Sequence, residues 1–268
     1  MYTINKYQFN DFKCQASLHK ANYAVLVNMP DYGLKYSPDS DFSEEYYLLK
    51  ELSHPQIPTA YDFGQGDLFK DEKLLIRQNF VVLQHVNGYD LIDYFNEKNI
   101  EQPGTIDEII KLFATICAPL QYLHNKNYIH CDLKPGHLII TQKTGLVSLV
   151  DFELAIKFGD IIKGISREYA SPEQLQMLAY LKDRPRKAHH KDISETIRLD
   201  GKTDLYSVGL LLYQVLTRNI WQTEKIPPSQ INPFVSHELE EVVLSLLETN
   251  VADRISSADE LKKALSSI

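Results

Sequence analysis

Apolar positions in this chain follow one period in its first third and another in the rest. Tyr23–Val27 (YAVLV) and Phe80–Val86 (FVVLQHV) are rich in β-branched and aromatic residues and lie between turn formers, so both are predicted strands. Between them Ser43–Ser53 reads as a short helix that His54-Pro55 stops. Further on, Ile109, Phe113, Ile116, Leu120 and Leu123 recur every three or four residues. That spacing predicts a long helix over Ile106–Asn125 with one apolar stripe, bent at Pro119. A polar loop, the apolar pair Leu138–Ile140, a Lys143-Thr144-Gly145 turn and a second apolar strand, Leu146–Asp151, follow. Lys202–Leu216, Glu238–Thr249 and Ser257–Leu265 then carry helical spacing. The pattern predicts a strand-rich lobe joined near Asn87-Gly88-Tyr89 to a helix-rich lobe. A ligand is expected where two such lobes meet.

Composition narrows the function. The 268 residues suffice for one large domain or two packed lobes. A net charge of -8 argues against a nucleic-acid partner, which calls for a basic surplus. Met1–Asn10 lacks a basic start followed by an apolar run, so no secretory signal is expected there. Val208–Leu216, the longest apolar stretch, is too short to cross a bilayer, so no membrane partner is expected. Cys14, Cys117 and Cys131 form no CxxC pair, which speaks against a disulfide framework or a zinc site and for a cytoplasmic setting.

Chemistry gathers between residues 128 and 173. Tyr128–Ile139 reads YIHCDLKPGHLI, Leu149–Ala155 reads LVDFELA and Tyr169–Glu173 reads YASPE. Asp132, in a polar loop between helix and strand, can accept a hydroxyl proton. Lys134 can neutralise charge on a transferring group, and Asp151, ending an apolar strand, can hold Mg²⁺. Either aspartate alone is more often a turn or cap residue, and the pair flanking a short hairpin makes chemistry the better reading.

In order and spacing, these segments resemble the catalytic loop, metal-binding motif and activation-segment end of eukaryotic-type (Hanks-type) Ser/Thr protein kinases. Thr203–Gly209 (TDLYSVG) resembles that family's central helix, and Glu45 in EYYLLKELSHP resembles the Glu of its αC helix. The resemblance implies an α+β, two-lobed protein-kinase-like fold over residues 1–268, with a small strand-rich N-lobe to about residue 86 and a larger helical C-lobe. It implies ATP and Mg²⁺, with Mn²⁺ an alternative, and a protein substrate. Asp132 and Lys134 take the catalytic roles, and Asp151 is the chief metal ligand. Ala24, Leu83 and Ile139 fall in the nucleotide-binding set, with Gln84, His85 and Val86 as the hinge that holds adenine through backbone groups. Glu173 and Arg254 resemble the family's buried ion pair, Asp204 the anchor of the catalytic-loop backbone, and His130 and Phe152 its internal stack.

The sequence also departs from the family's pattern. The phosphate-covering loop, expected in Tyr7–Cys14, has no glycine, and Phe9 and Phe12 stand there instead. The strand expected to read VAxK reads Tyr23-Ala24-Val25-Leu26, so Leu26 takes the Lys position and Glu45 loses its usual partner. Lys13, in the neighbouring strand, is the candidate substitute for that Lys, as in with-no-lysine kinases; alternatively it is a solvent Lys on an edge strand. His137 replaces the metal-binding Asn and suits Mn²⁺ or Zn²⁺ better than Mg²⁺. Glu153 replaces the Gly after Asp151-Phe152 and adds a hard oxygen ligand. Cys131 replaces the Arg that grips a phosphorylated activation loop, so activity is expected not to need phosphate on Ser166.

Two readings lead, a Ser/Thr protein kinase with an atypical ATP site or a pseudokinase serving as a binding, scaffold or regulatory module; a small-molecule phosphotransferase on the same fold is disfavoured because YASPE and the Asp204 helix resemble the protein-kinase substrate platform. The basic run Lys182–Lys191 invites an acidic partner, although a solvated loop is the plainer explanation.

Overall fold

The computed structural model describes residues 1–10, 21–96, 98, 100–183, 196–221 and 225–268. Lys13, Cys14, Phe12 and most of the basic run lie outside the described residues. The chain divides into two compact units, Met1–Asn87 and Gly88–Ile268.

Among the described residues the N-terminal unit holds a six-stranded antiparallel sheet and one helix. Its strands are β1 (Tyr2–Ile4), β2 (Tyr7–Phe9), β3 (Asn22–Leu26), β4 (Met29–Ser37), β5 (Ala60–Lys70) and β6 (Lys73–Gln84), in the order β2-β1-β5-β6-β4-β3. The β5–β6 hairpin turns on Asp71 and Glu72, both at positive φ (47° and 66°). Two left-handed residues in succession match the right-handed twist of the strands they join. Alternation then sorts the side chains. Ala24, Leu26, Leu34, Tyr36, Phe80 and Val82 share one face and pack with Ile4, Tyr7, Phe9 and Leu68 into a single core. The opposite face carries Tyr23, Val25, Gly33, Lys35, Val81 and Leu83, which the register places side by side across β3, β4 and β6.

Helix α1 (Ser43–Glu51) packs against β5. Glu44 and Glu45 in its first turn favour the positive end of the helix dipole, and the chain turns extended at Leu52 ahead of Pro55.

The C-terminal unit is built on α3 (Pro103–Asn125), after β7 (Gly88–Asp90) and α2 (Leu91–Asn96). The helix runs on through Pro119, and Ile109, Phe113, Ile116, Leu120 and Leu123 are all fully buried along its stripe. Each such side chain is worth about 1.5–3 kcal/mol of transfer free energy. Then come β8 (Tyr128–Ile129), a 3₁₀ turn (Pro135–His137), β9 (Leu138–Thr141), β10 (Val147–Leu149) and β11 (Ile156–Lys157). Helices α4 (Pro172–Asp183), α5 (Gly201–Thr217), α6 (Pro228–Ile231), α7 (His237–Leu246) and α8 (Ala258–Ser266) complete the unit. Gly145, at φ +69°, lets the chain reverse between β9 and β10. No helix among the described residues is long and apolar enough to cross a membrane.

Candidate active site

In the C-terminal unit the loop between β8 and β9 is held from beneath by Asp204. This aspartate sits in the first turn of α5 and is almost fully buried. Its Oδ2 accepts from the backbone N–H of His130 and lies 2.9 Å from His124 Nε2, while its Oδ1 accepts from the N–H of Cys131. Cys131 takes a left-handed φ of 65°, a conformation that costs a non-glycine residue about 1–3 kcal/mol unless its surroundings fix it. The two N–H bonds to Asp204 provide that restraint. His130 packs its ring on Phe152, centroids 4.8 Å apart, and its Nε2 lies 3.1 Å from the carbonyl of Val150.

The loop so placed brings Asp132, Lys134 and His137 together. The carboxylate of Asp132 is buried and accepts twice, from Lys134 Nζ (3.0 Å) and from the backbone N–H of Ser166 (3.1 Å). Burial alone raises its pKa, but the neighbouring His137 and Lys134 and the bonds from Ser166 and Lys134 outweigh it and hold the acid below its usual range. Lys134 also reaches Ser166 Oγ at 3.3 Å. Ser166 is therefore buried and tethered at both backbone and side chain, not presented as a free hydroxyl.

His137 stands between the two carboxylates. Its Nδ1 lies 2.7 Å from the backbone carbonyl of Asp132, an acceptor only, so Nδ1 carries the proton and donates. Nε2 is thereby turned to Asp151, 3.2 Å from Oδ2. Asp151 itself adopts φ 64° directly after the hairpin. Glu153 follows two residues later, its backbone N–H 3.5 Å from Asp151 Oδ1. Ile139 is buried on β9, opposite Asp90 of β7.

The activation-segment end is fixed by a buried ion pair. Arg254 NH1 and NH2 bond the two oxygens of Glu173 at 2.9 and 3.1 Å, and its remaining donors reach the carbonyls of Lys202 and Glu248. Burial raises the pKa of Glu173, and Arg254 more than reverses this.

The N-terminal unit corrects two expectations. Glu45 does not lack a basic partner: Lys35 on β4 donates to Glu45 Oε2 at 3.0 Å, with both side chains buried. Leu26 and Ala24 are core residues on the opposite face from Lys35, so neither holds the place expected of it. The residue two before the lysine is Gly33. The physical reason is a strand order shifted by one: Tyr23–Val27 precedes the lysine-bearing strand instead of being it. Phe9 likewise lies in the core, its ring stacked on Tyr2 at 5.6 Å.

Leu83 stays on the Lys35 face, directly opposite Gly33. Among the hinge residues, the N–H groups of Gln84 and His85 are used internally, by the carbonyls of Thr59 (2.8 Å) and Asp31 (2.7 Å). The N–H of Val86 has no backbone acceptor among the described residues. Sequence reasoning missed Lys35. The signal that could have found Lys35 was its place ten residues before Glu45 in a Leu-Lys-Tyr-Ser alternation.

The chain belongs to the protein kinase domain family, whose profile matches residues 34–266. It is 28% identical over 262 residues to the serine/threonine-protein kinase PknB of Mycobacterium tuberculosis, covering 92% of this chain and 38% of that protein. With PksC of Streptomyces coelicolor it shares 24% identity over 292 residues, or 96% of this chain and 48% of the other. The chain thus spans less than half the length of these relatives. In fold it matches the M. tuberculosis PknI kinase domain with a TM-score of 0.67 at 20% identity, covering 99% of this chain and 97% of that one. It also matches the Cydia pomonella granulovirus kinase PK-1 with a TM-score of 0.64 at 18% identity, over 96% and 92%.

Proposed function

We propose that this chain is an ATP-dependent Ser/Thr protein kinase with an atypical metal site. The observation that carries the reading is the buried Lys35–Glu45 pair. Three departures in the sequence spoke for a dead nucleotide site: Leu26 in the expected Lys position, the loop without glycine, and His137 in place of Asn; Lys35 answers the first of them. A lysine brought to the αC-like glutamate supplies the cation that the family directs at nucleotide phosphates.

In the reaction, Asp132 Oδ takes the proton of the incoming hydroxyl. Its depressed pKa keeps it ionised, with a vacant oxygen lone pair for the proton, and makes it a weak base that serves mainly to orient the hydroxyl. Lys134, shared between Asp132 and Ser166, stands by to offset charge on the transferring group and holds the segment that would present the acceptor. The relatives named serine/threonine-protein kinases support a protein hydroxyl as acceptor.

The donor set fits a divalent cation. Asp151 offers carboxylate oxygen, His137 offers an Nε2 freed by its Nδ1 bond, and Glu153 is a further oxygen donor in the same segment. When bound, such an ion would neutralise phosphate charge. A nitrogen ligand favours Mn²⁺ over Mg²⁺.

One observation favours the pseudokinase reading: the same His137 can close directly on Asp151 and leave no room for an ion between them. A thermal-shift titration with ATP and Mn²⁺ or Mg²⁺, run beside a γ-phosphate transfer assay, separates the two. The kinase reading expects a metal-dependent rise in melting point and transfer that Asp132→Asn abolishes. No shift with either metal, or a shift without transfer, overturns it in favour of a binding module.

A further inference from the structure

The C-terminal unit holds a cavity of about 330 Å³ to which the reaction described above assigns no role. That volume suits a small ligand. His124 near the end of α3, Phe158 after β11, and Arg198, Asp200, Gly201 and Lys202 at the entrance to α5 contribute to its lining.

His124 is bonded at only one of its ring nitrogens. The side chain is 8% exposed, and its Nε2 lies 2.9 Å from Asp204 Oδ2. A carboxylate only accepts, so Nε2 carries the proton and Nδ1 keeps a lone pair. Nδ1 has no hydrogen-bond partner among the described residues. A Cβ at Gly201 would stand 2.6 Å from it, so the glycine is what keeps that edge of the ring uncovered.

Arg198 supplies a cation to the same cavity. It is exposed, and its guanidinium makes no hydrogen bond or ion pair among the described residues. The neighbouring acids are already engaged. Asp200 Oδ1 accepts from the N–H of Lys202 at 2.8 Å and so caps α5. Glu260 Oε2 accepts from both the N–H and the hydroxyl of Ser256. Lys202 Nζ is spent on the carbonyl of Val251 at 2.8 Å.

We propose that this cavity is a regulatory site for a phosphate monoester, held between Arg198 and His124 Nδ1, and that its occupancy steadies the loop carrying Asp132. The proposal goes beyond the kinase reading and does not rest on it.

The ligand class follows from an acceptor paired with a cation. A sulfate or carboxylate brings only acceptors and would meet the Nδ1 lone pair with its own. A phosphate monoester has a second ionisation at about pH 6, so near neutrality it still has an O–H to give. That O–H donates to Nδ1 while the remaining oxygens take the Arg198 fork. Should the proton cross to Nδ1, the pair becomes imidazolium and dianion, and the complex holds the same one proton.

The route to the loop runs through the other nitrogen. His124 Nε2 and the N–H of His130 share Asp204 Oδ2, and the N–H of Cys131 bonds Oδ1. A ligand that fixes the His124 ring from the cavity therefore fixes the carboxylate that holds both amides.

Calorimetric titration of the full chain at about pH 6.5 with inorganic phosphate, a short phosphoserine peptide and sulfate, beside amide hydrogen exchange, tests the proposal. A phosphate ligand should bind at least about tenfold more tightly than sulfate and slow exchange at His130 and Cys131. The tighter of the two phosphate ligands supports the site and tells whether its source is a protein side chain or a small molecule. Arg198→Met should weaken phosphate by about tenfold and abolish its effect on exchange, with the melting point of the ligand-free protein unchanged. Sulfate binding as tightly as phosphate, Arg198→Met binding phosphate as wild type does, phosphate binding that leaves exchange at His130 and Cys131 unaltered, or no binding of either phosphate ligand would each overturn the proposal.

Discussion

Lys35 and Glu45 join the sheet of the N-terminal unit to helix α1, 3.0 Å apart and both withdrawn from water. A pair so placed has a diagnostic energetics. Desolvating two charges costs nearly what their attraction returns, so replacing both by apolar groups is close to neutral, whereas removing one strands the other. Lys35→Ala should therefore lower stability by about 3–5 kcal/mol, while Lys35→Met combined with Glu45→Leu should come within about 1–2 kcal/mol of wild type. Urea unfolding of the two single variants and the double variant checks this. Equal losses in all three would mean the pair is not coupled.

If the chain binds a divalent cation as proposed, His137 is the residue that sets the metal preference. With Nδ1 committed to the Asp132 carbonyl, only Nε2 is left to face Asp151. His137→Asn replaces that nitrogen with an amide oxygen, so the ratio of Mn²⁺ to Mg²⁺ affinity should fall. Mn²⁺ electron paramagnetic resonance, titrated with Mg²⁺ as competitor, reads the ratio directly. A ratio unchanged from wild type removes His137 from the coordination sphere.

Glu173 predicts an acid limb. Its carboxyl is held below the ordinary 4.5 by Arg254 despite the opposing effect of burial. A depressed folded-state value means the unfolded chain binds more protons. The contribution is therefore complete above pH 4.5 and drains away as pH falls through the lower folded value. Asp132 adds to the same limb, since its pKa too is depressed from 3.8. The urea midpoint of wild type should drop as pH is lowered from 5 toward 3, and Glu173→Gln, already weakened at pH 7, should show a shallower drop. Parallel curves would contradict the assignment.

Asp204 holds the catalytic loop through two backbone N–H groups. Asp204→Ala leaves both donors buried without an acceptor, at about 1–3 kcal/mol each. The melting point should fall by several degrees, and phosphate transfer should fall further than stability explains, because Cys131 loses the restraint on its left-handed backbone. Hydrogen exchange at His130 and Cys131 should rise selectively. Unchanged protection there would show that the loop is held by something else.

The helical half of the fold was legible because its signals are local. The α3 stripe buries the five apolar positions its spacing picked out, and Lys143-Thr144-Gly145 turns where Gly145 permits it. Asp132, Lys134 and His137 were legible as a group because one loop carries all three. The N-terminal sheet hid its lysine for equally local reasons. Met29–Ser37 opens with Met-Pro-Asp-Tyr-Gly, which reads as a turn, and its strand character comes from pairing with β3 and β6 on either side. Ala60–Lys70 was missed likewise, since Asp-Phe-Gly-Gln-Gly-Asp has little strand propensity and is held by β6.

The role of Lys35 is the claim on which the functional account turns. The direct test is calorimetric titration of ATP with Mn²⁺ into wild type and into Lys35→Met combined with Glu45→Leu, which keeps the fold without the charge. The account predicts measurable binding by wild type and a loss of at least about tenfold in the double variant, the cost of one charge-assisted phosphate contact. Equal affinity in the two proteins would contradict it.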